Sequence, residues 1–401
     1  MIKTALKKVL SPYVRETRLV FNNLSMMVSG KKKLDTDYPV VCISNKNADT
    51  FFGYYDISPF RGDEVIYVVK HKGKDFLEIA INNIEGKSQS IVARTSAMNW
   101  QQGCRLRWFP TGERTISFNN WDGKGNYFNN ILNLDTGDKK TIDYPLYDID
   151  SVGARGLSID FERLGRLRPG YGYTNNGNDL TPMKNHGIDV IDIHKNIIIL
   201  TIDYERIISS FKRTIIINNC YLNHLSFSPD GSKFLFFLIE IINGYHMAYL
   251  LVYDMTEDKV IVLDEDEKVS HYVWLDNNSI ICTAYSDPQT CRYYLYDVSN
   301  RSKTLIAPNS LDRDGHPSKS IKKDTILTDT YPDEKFFQHL MLADIKKDKT
   351  IKIADVYSDP HITGERRTDL HPRYNENQKY VSFDANISGN RKLYLIKINK
   401  A

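Results

Sequence analysis

The sequence predicts an all-β fold, a seven-bladed β-propeller whose ring is closed by pairing of the N- and C-terminal strands. A strand–turn–strand unit recurs seven times along the 401 residues, and a third strand follows each copy. A repeat of this kind has the length of one four-stranded propeller blade. The last copy lacks its outer strand, and a candidate for that strand precedes the first copy. A closed ring removes the exposed sheet edges that an open solenoid would leave.

The repeat is plainest at residues 224–239, where HLSFSPDGSKFLFFLI contains a strand, a Ser-Pro-Asp-Gly turn and a second strand. MAYLLVYDM and KVIVLD supply the third and fourth strands of this blade. The other copies are YYDISPFRGDEVIYVV, RLRWFPTGERTISF, LYDIDSVGARGLSIDF, HYVWLDNNSIICTAY, HPSKSIKKDTILTDTY and HPRYNENQKYVSFDA. Alternating apolar and polar residues are typical of half-buried strands. The predicted closing strand is PVVCIS, residues 39–44.

Two domains are predicted: a basic amphipathic segment at residues 1–35 and the propeller at residues 36–401. One predicted helical face of the segment carries Ile2, Leu6, Val9 and Leu10 among lysines. This pattern suits peripheral contact with an anionic membrane surface, or a helix packed on the outside of the domain. The N-terminal residues lack the features of a signal peptide, and the five cysteines form no CxxC pair. We therefore expect a cytoplasmic protein, with the inner membrane face as a second expected location.

The composition excludes some classes of function. The net charge of +3 is too small to indicate nucleic-acid binding, and no base-stacking motif is present. No apolar run is long enough to span a bilayer. No GxSxG, HExxH or Walker motif occurs. The 25 tyrosines suit a sheet-rich fold and surfaces that contact sugars.

Alignment of the copies on their turns predicts one side chain per blade around the central channel. The aligned residues are Tyr54, Arg105, Leu146, His224, His271, His316 and His371. Three converging imidazoles can hold Zn²⁺ or Mn²⁺. Alternatively, one histidine acts as a general base while Arg105 holds an anionic substrate. A third interpretation is structural, with each histidine bonded to the backbone of a neighbouring blade.

Further binding residues are expected near the same channel mouth. Between the third and fourth copies the chain carries the insertion RLGRLRPGYGYTNNGNDLTPMKNHG, which is either a binding loop or a cover for a sheet edge. Tyr171 and Tyr173 could project over the channel, and Arg168 could pair with a carboxylate. The amides Asn99, Gln101, Gln102, Asn119 and Asn120 would suit sugar hydroxyls, although amides are also common in turns.

The SPDG repeats are similar to those of TolB-like propellers. The segments FGYYDISPF, NWQQGCRLRWFPTG, LSIDFERLGRLRPGYGY, HLSFSPDG and HPRYNENQKYVSFDA resemble the propeller polysaccharide lyases, namely the oligogalacturonate and ulvan lyases. The resemblance covers residues 50–398 and is specific for the fold, but not for the substrate. It implies cleavage of uronate-containing chains by β-elimination, in which a base removes the C5 proton, a cation or metal ion neutralises the carboxylate and an acid assists the leaving oxygen.

The resemblance also implies roles for individual residues. His224 corresponds to the catalytic base, His271 and His371 to metal ligands, and His316 to a third ligand. The catalytic tyrosine of ulvan lyases corresponds to Tyr173 or Tyr171, and the neutralising arginine to Arg168 or Arg105. The residues expected to bind substrate are Tyr54, Tyr171, Asn99, Gln102, Asn120 and Arg373.

The chain departs from the family pattern at two places. Arg366, Asp369 and His371 stand where a Gln-x-x-His-x-His ligand cluster is expected. Asn99 and Asn120 replace histidines seen in ulvan lyases. Either change is compatible with a different substrate or with lost lyase activity.

Three functions follow from these features. The first is a lyase, dependent on Mn²⁺ or Zn²⁺, that cleaves acidic oligosaccharides or polysaccharides. The second is a glycosyl-transfer or modification enzyme in the biosynthesis of a capsule or O-antigen surface polysaccharide. The third is an interaction propeller without catalytic activity, in which the ring histidines are structural.

Overall fold

The structure is a computed structural model that describes residues 32–43, 47–177, 186–387 and 389–398. Seven antiparallel sheets form the seven blades of a β-propeller, as the repeats predicted. The predicted amphipathic helix falls in residues 1–31, outside the described residues. Within the described ranges, no helix has both the length and the apolar character needed to cross a membrane.

Two short strands, β1 (Leu34–Asp35) and β2 (Val40–Ile43), precede the first blade. The strands of blade 1 are β3 (Ala48–Phe51), β4 (Phe60–Arg61), β5 (Glu64–His71), β6 (Leu77–Asn83) and β7 (Gln89–Thr95), with β4 paired only to β5. Those of blade 2 are β8 (Arg107–Trp108), β9 (Thr115–Trp121), β10 (Tyr127–Asn133) and β11 (Lys139–Ile142). Those of blade 3 are β12 (Asp148–Ile149), β13 (Arg155–Ile159), β14 (Ile188–Asp192) and β15 (Ile197–Ile202).

The remaining blades keep the same order from the inner to the outer strand. Blade 4 contains β16 (Cys220–Phe227), β17 (Lys233–Ile242), β18 (Tyr245–Asp254) and β19 (Lys259–Asp264). Blade 5 contains β20 (Lys268–Trp274), β21 (Ser279–Asp287), β22 (Thr290–Asp297) and β23 (Lys303–Ile306). Blade 6 contains β24 (Ser318–Lys319), β25 (Thr325–Thr328), β26 (Phe337–Asp344) and β27 (Lys349–Tyr357). Blade 7 contains β28 (Arg373–Tyr374), β29 (Tyr380–Ala385) and β30 (Lys392–Lys397).

The N-terminal strands complete the last two blades. Strand β2 pairs antiparallel with β30, with Val40 opposite Ile396, and is the fourth strand of blade 7. The predicted closure of the ring is therefore confirmed. Strand β1, from the end of the predicted N-terminal segment, adds a fifth strand to blade 6 by pairing with β27.

The helices are short and lie in connections. Helix α1 (Phe161–Leu167) occupies the predicted insertion of blade 3, and the Asp160 carboxylate caps it by accepting from the Arg163 amide. Helix α2 (Tyr204–Ile208) and the 3₁₀ turn Ile217–Asn219 connect blades 3 and 4. A second 3₁₀ turn, Gly364–Arg366, precedes blade 7.

The antiparallel order of the strands determines which loops share a face of the propeller. In each blade, the loop between the second and third strands emerges at the same end as the connection that enters the next blade. Helix α1 and the 3₁₀ turn before blade 7 belong to loops of this kind. We call this end the upper face. The core lies within and between the blades, and its largest apolar cluster runs through blades 3 to 5.

Candidate functional site

Four histidines from successive blades surround one tyrosine at the channel. The ring centroid of Tyr54 lies 5.3 Å from that of His224, 6.5 Å from His271, 6.2 Å from His316 and 4.6 Å from His371. The structure therefore brings together the four imidazoles that the repeat register aligned. All five side chains are buried.

The backbone at this ring position is irregular. In blade 4 the pairing register shifts between Asn223 and Ser226, so His224 lies in a bulge of the inner strand. Its φ of 58° is left-handed, as are those of Arg105 (53°) and His371 (47°). Bulges and left-handed residues re-aim side chains, and they are frequent at functional sites.

Blade 3 departs from the predicted register by one residue. Leu146 packs in an apolar cluster, and its amide donates to Asn119 Oδ1. The side chain that approaches the histidines is that of Tyr147, whose hydroxyl accepts from the His224 amide at 2.9 Å. A shift of one residue along a strand exchanges the two faces of the sheet. The prediction for Leu146 was therefore wrong.

Two of the predicted arginines are engaged in holding blades together. The Arg105 guanidinium pairs with Asp56 at 2.8 Å and donates to the Tyr147 carbonyl at 2.8 Å. Arg373 donates to the Tyr54 carbonyl at 2.9 Å and pairs with Asp384 at 3.2 Å. Neither arginine lines the pocket described next, so the structure leaves both out of direct contact with a ligand there.

A pocket of about 210 Å³ opens at the upper face beside the histidines. Its wall includes His224, His271, Tyr54, Tyr171, Tyr331, Arg168, Lys268 and Arg367. The predicted insertion contributes to this wall, since Arg168 and Tyr171 directly follow α1. Lys268 and Arg367 were not predicted. Their position three or four residues before a ring histidine is a sequence signal that could have indicated them.

The pocket carries positive charge that is not fully compensated. The Arg168 guanidinium lies 5.3 Å from the centroid of the Tyr171 ring, and Arg367 pairs with Asp369 at 2.6 Å. Among the described residues, Arg168 and Lys268 form no ion pair with a carboxylate. An anionic ligand is therefore favoured in this pocket.

The blade 4 wall of the pocket combines apolar side chains with one polar pair. Ile239 and Ala248 line the pocket from adjacent strands. Beside them, the Tyr221 hydroxyl and His246 Nδ1 lie 2.8 Å apart. The apolar surface suits one face of a sugar ring, and the polar pair suits a hydroxyl group. The repeat alignment did not indicate these residues.

His224 is an uncharged imidazole at the pocket. Burial, reinforced by the charges of His271 and Arg105, lowers the pKa of His224 well below its usual value. Its Nδ1 is buried and has no hydrogen-bond partner among the described residues. A neutral histidine with a free ring nitrogen can accept a proton.

His271 is held by the carboxylate of the next blade connection. Its Nδ1 donates to Asp314 Oδ1 at 3.0 Å. The same carboxylate accepts from Thr283 at 2.8 Å and from the Tyr285 hydroxyl at 2.9 Å. Burial alone would raise the pKa of Asp314, but His271 and the hydroxyl donors lower it. The carboxylate therefore fixes the orientation of the His271 ring.

A candidate metal cluster lies directly behind the pocket wall. Ligand atoms of His316, Asp369 and His371 lie within 4.8 Å of one another. The ring of His316 is 4.1 Å from that of His271, and the Asp369 carboxylate is the partner of Arg367. Two of the three predicted metal ligands are in this cluster. The third position is taken by Asp369, not by His271.

The hydrogen bonds of the cluster leave the ligand nitrogens free. His316 Nδ1 donates to Asp329 at 2.8 Å, and His371 Nδ1 donates to the Gly53 carbonyl at 3.0 Å. Both Nε2 atoms are buried without a partner among the described residues. Such outer partners orient metal-binding histidines. The cluster therefore fits a divalent ion that accepts nitrogen and oxygen ligands, such as Mn²⁺ or Zn²⁺.

The charge states around the cluster are also determined by its neighbours. Burial alone would raise the pKa of Asp369, but Arg367 lowers it. Burial alone would lower the pKa of His316, but Asp329 raises it above the usual value. Metal binding at His316 Nε2 therefore competes with a proton.

The remaining predicted residues have structural contacts. Tyr173 is fully buried, stacks on Phe161 with ring centroids 4.6 Å apart, and does not line the pocket. Asn99 Nδ2 donates to the Tyr171 carbonyl at 2.7 Å, which holds the insertion to blade 2. Gln102 Nε2 donates to the Tyr147 hydroxyl at 2.7 Å, and Asn120 Oδ1 accepts from the backbone amide of Ser96 at 3.0 Å.

No protein-family model matches the chain, and no curated protein matches it. Among solved structures, an oligogalacturonate lyase in complex with manganese is similar, with a TM-score of 0.67 and 12% identity over 91% of this chain and 94% of that chain. An oligogalacturonate lyase from Vibrio parahaemolyticus gives a TM-score of 0.64 and 13% identity over 92% and 97% of the two chains. The β-propeller domain of the trilobed protease from Pyrococcus furiosus gives 0.54 and 14% identity over 89% and 96%. At these identities the likeness establishes the fold alone, and it confirms the resemblance in fold to the propeller lyases.

Proposed function

We propose that this protein is a lyase that cleaves acidic oligosaccharides by β-elimination with the help of a divalent metal ion. One observation carries this proposal. Three features meet at a single pocket: cations without a paired carboxylate, a neutral buried histidine, and a cluster of side chains suited to bind a metal ion. Similarity in fold to oligogalacturonate lyases, one of them in complex with manganese, supports the same class of reaction.

The reaction sets clear chemical requirements. A base removes the proton from C5 of a uronate residue, and the electron pair forms a double bond between C4 and C5. The bond between C4 and the glycosidic oxygen then breaks, and that oxygen takes up a proton. Negative charge accumulates on the carboxylate beside C5, so nearby cations lower the barrier.

In this proposal His224 is the base. It lines the pocket, and its lowered pKa keeps the ring uncharged at neutral pH, so a ring nitrogen is available for the C5 proton. Arg168 and Lys268 bind the carboxylate of the same sugar residue. The planar guanidinium of Arg168 can make two parallel hydrogen bonds to it.

His316, Asp369 and His371 would hold the metal ion, Mn²⁺ or Zn²⁺ by the chemistry of these ligands. The ion would supply positive charge next to the pocket, which stabilises the charge that develops on the carboxylate. Arg367 pairs with Asp369 and lines the pocket, so it connects the ligand cluster to the sugar-binding wall.

The test combines metal analysis with an assay for the unsaturated product, which absorbs in the far ultraviolet. Wild-type protein should contain a stoichiometric transition metal and release this product from uronate oligomers. His224→Asn should keep the metal and lose activity at least 100-fold, since general base catalysis contributes about 10²–10⁴-fold. His371→Asn should lose both the bound metal and the lyase activity. Asparagine is chosen because it tolerates the left-handed backbone at these positions.

His186→Ala, which removes a partly exposed histidine beside Asp189 in blade 3, is the matched control and should keep metal and activity. Absence of an unsaturated product from metal-loaded wild-type protein across a panel of acidic glycans would refute the lyase proposal.

A further inference from the structure

A second, larger depression lies on the upper face between blades 7 and 1. It has a volume of about 610 Å³ and is lined by Lys70, Lys72, Trp100 and Arg366; we call it the outer groove. The lysines lie at the loop between the second and third strands of blade 1. Trp100 and Arg366 lie on the connections that enter blades 2 and 7. All three loops emerge on the same face as the pocket.

The outer groove carries an excess of positive charge around an aromatic side chain. Its three cations face one carboxylate, Asp49, which is 3.5 Å from Arg366. The Arg366 guanidinium lies 5.0 Å from the centroid of the Trp100 indole, and the Phe51 ring stacks on the same indole with centroids 5.9 Å apart. An indole beside cations is the combination that binds an acidic sugar, through apolar contact with the ring and ion pairs with the carboxylate.

The outer groove and the pocket share one wall. Arg366 lines the groove, and the next residue, Arg367, lines the pocket. Gln101 Nε2 holds this segment by donating to the Glu365 and Arg367 carbonyls at 3.0 and 2.9 Å. Consecutive Cα atoms are about 3.8 Å apart, so a single loop separates the two depressions.

We propose that the outer groove binds additional residues of the acidic glycan whose uronate lies in the pocket, so that the substrate is a chain of several sugar residues. This inference rests on the proposed function for the identity of the ligand in the pocket. Charges at the groove are solvent-accessible, so their contribution falls as salt rises.

The test measures affinity against chain length with oligogalacturonates of two to six residues as probes. Calorimetric titrations use metal-loaded His224→Asn protein to prevent turnover. Affinity should rise at least tenfold from dimer to hexamer. Lys72→Glu and Arg366→Glu should abolish this rise and leave dimer binding unchanged. Lys346→Glu, in the loop between β26 and β27 on the opposite face, and Lys349→Glu, at the first residue of β27, should retain it.

The outcomes separate the two proposals. If the dimer binds but affinity does not rise with chain length, the outer groove does not bind the glycan. The same conclusion follows if the opposite-face variants lose the rise in affinity equally. Neither result contradicts the proposed function. If no oligomer binds, the ligand of the pocket is not a uronate, and both proposals are refuted.

Discussion

At the scale of single residues, the channel ring uses backbone conformations that side chains other than glycine seldom adopt. Arg105, His224 and His371 have φ values of 53°, 58° and 47°. A left-handed conformation costs an L-residue about 1–2 kcal/mol. Surrounding contacts offset this conformational cost, such as the hydrogen bond from the His224 backbone amide to the Tyr147 hydroxyl. Such strain is common where a side chain has a chemical role.

The first prediction compares glycine and alanine at two ring positions. His224→Gly should be more stable than His224→Ala by up to about 1 kcal/mol, because alanine keeps the strain and glycine relieves it. At His271, whose φ is not positive, the order should reverse. Urea unfolding of the four variants gives both differences. Equal stability of the His224 pair would show that its backbone carries no strain.

Residue-scale prediction from sequence succeeded where the repeat fixed the position, and it failed where distant partners decided the role. The register aligned the four histidines. It could not show that Asp314 would hold His271, or that Asp329 would orient His316 and leave its Nε2 free. Asp369 comes two residues before His371 and joins the ligand cluster because both follow the same loop.

At the scale of elements, the blade 3 insertion depends on one close backbone approach. A Cβ atom at Gly172 would lie 2.2 Å from the Gly165 nitrogen in α1 and 2.2 Å from the Phe161 carbonyl oxygen. Only glycine allows the chain after α1 to fold back against the helix. This contact positions Arg168 and Tyr171, which lie in the intervening turn, at the pocket.

The second prediction follows from that contact. Gly172→Ala should displace the turn after α1, lower stability by about 1–3 kcal/mol and weaken uronate binding, because overpacking forces the backbone to move. Denaturant unfolding and titration with a uronate oligomer check the two effects. Thr174→Ala, at an exposed position in the same segment, is the control and should change neither. Unchanged affinity in the glycine variant would mean that the turn does not position the pocket.

The repeats made the strands predictable, but the blade 3 copy carried less information. Its segment LYDIDSVGARG has neither the Ser-Pro turn of blades 1 and 4 nor the Pro-x-Gly turn of blade 2, and it has no histidine at the ring position as blades 5 to 7 do. The alignment was therefore one residue out, and Leu146 was chosen where Tyr147 approaches the channel. The tight packing of Tyr173 against Phe161 was also invisible, since it depends on α1, which the strand pattern did not predict.

At the scale of the whole molecule, seven blades form one ring only because β2 completes the sheet of β30. The Pro39 carbonyl accepts from the Lys397 amide at 3.0 Å. Hydrogen-bonded pairs alternate along an antiparallel ladder, so Val41 pairs with Leu395 through hydrogen bonds and the Cys42 amide points away from β30.

The third prediction uses this alternation. Val41→Pro removes a ladder hydrogen bond and should lower the melting temperature, at a cost of about 1–3 kcal/mol. Cys42→Pro, one residue later on the same outer strand, should have a smaller effect because its amide makes no bond to β30. Thermal unfolding followed by circular dichroism measures both. The reverse order would contradict the closure of the ring through β2.

Closure of the ring through β2 also determines when folding can be completed in the cell. Residues 40–43 are synthesised before the strands of blade 1, and their partner, residues 392–397, is the last strand of the ring to be made. The early strand must stay unpaired, or be shielded by a chaperone, until the final blade has left the ribosome. Premature release of a truncated chain would leave an open edge at both ends, which is a known route to aggregation.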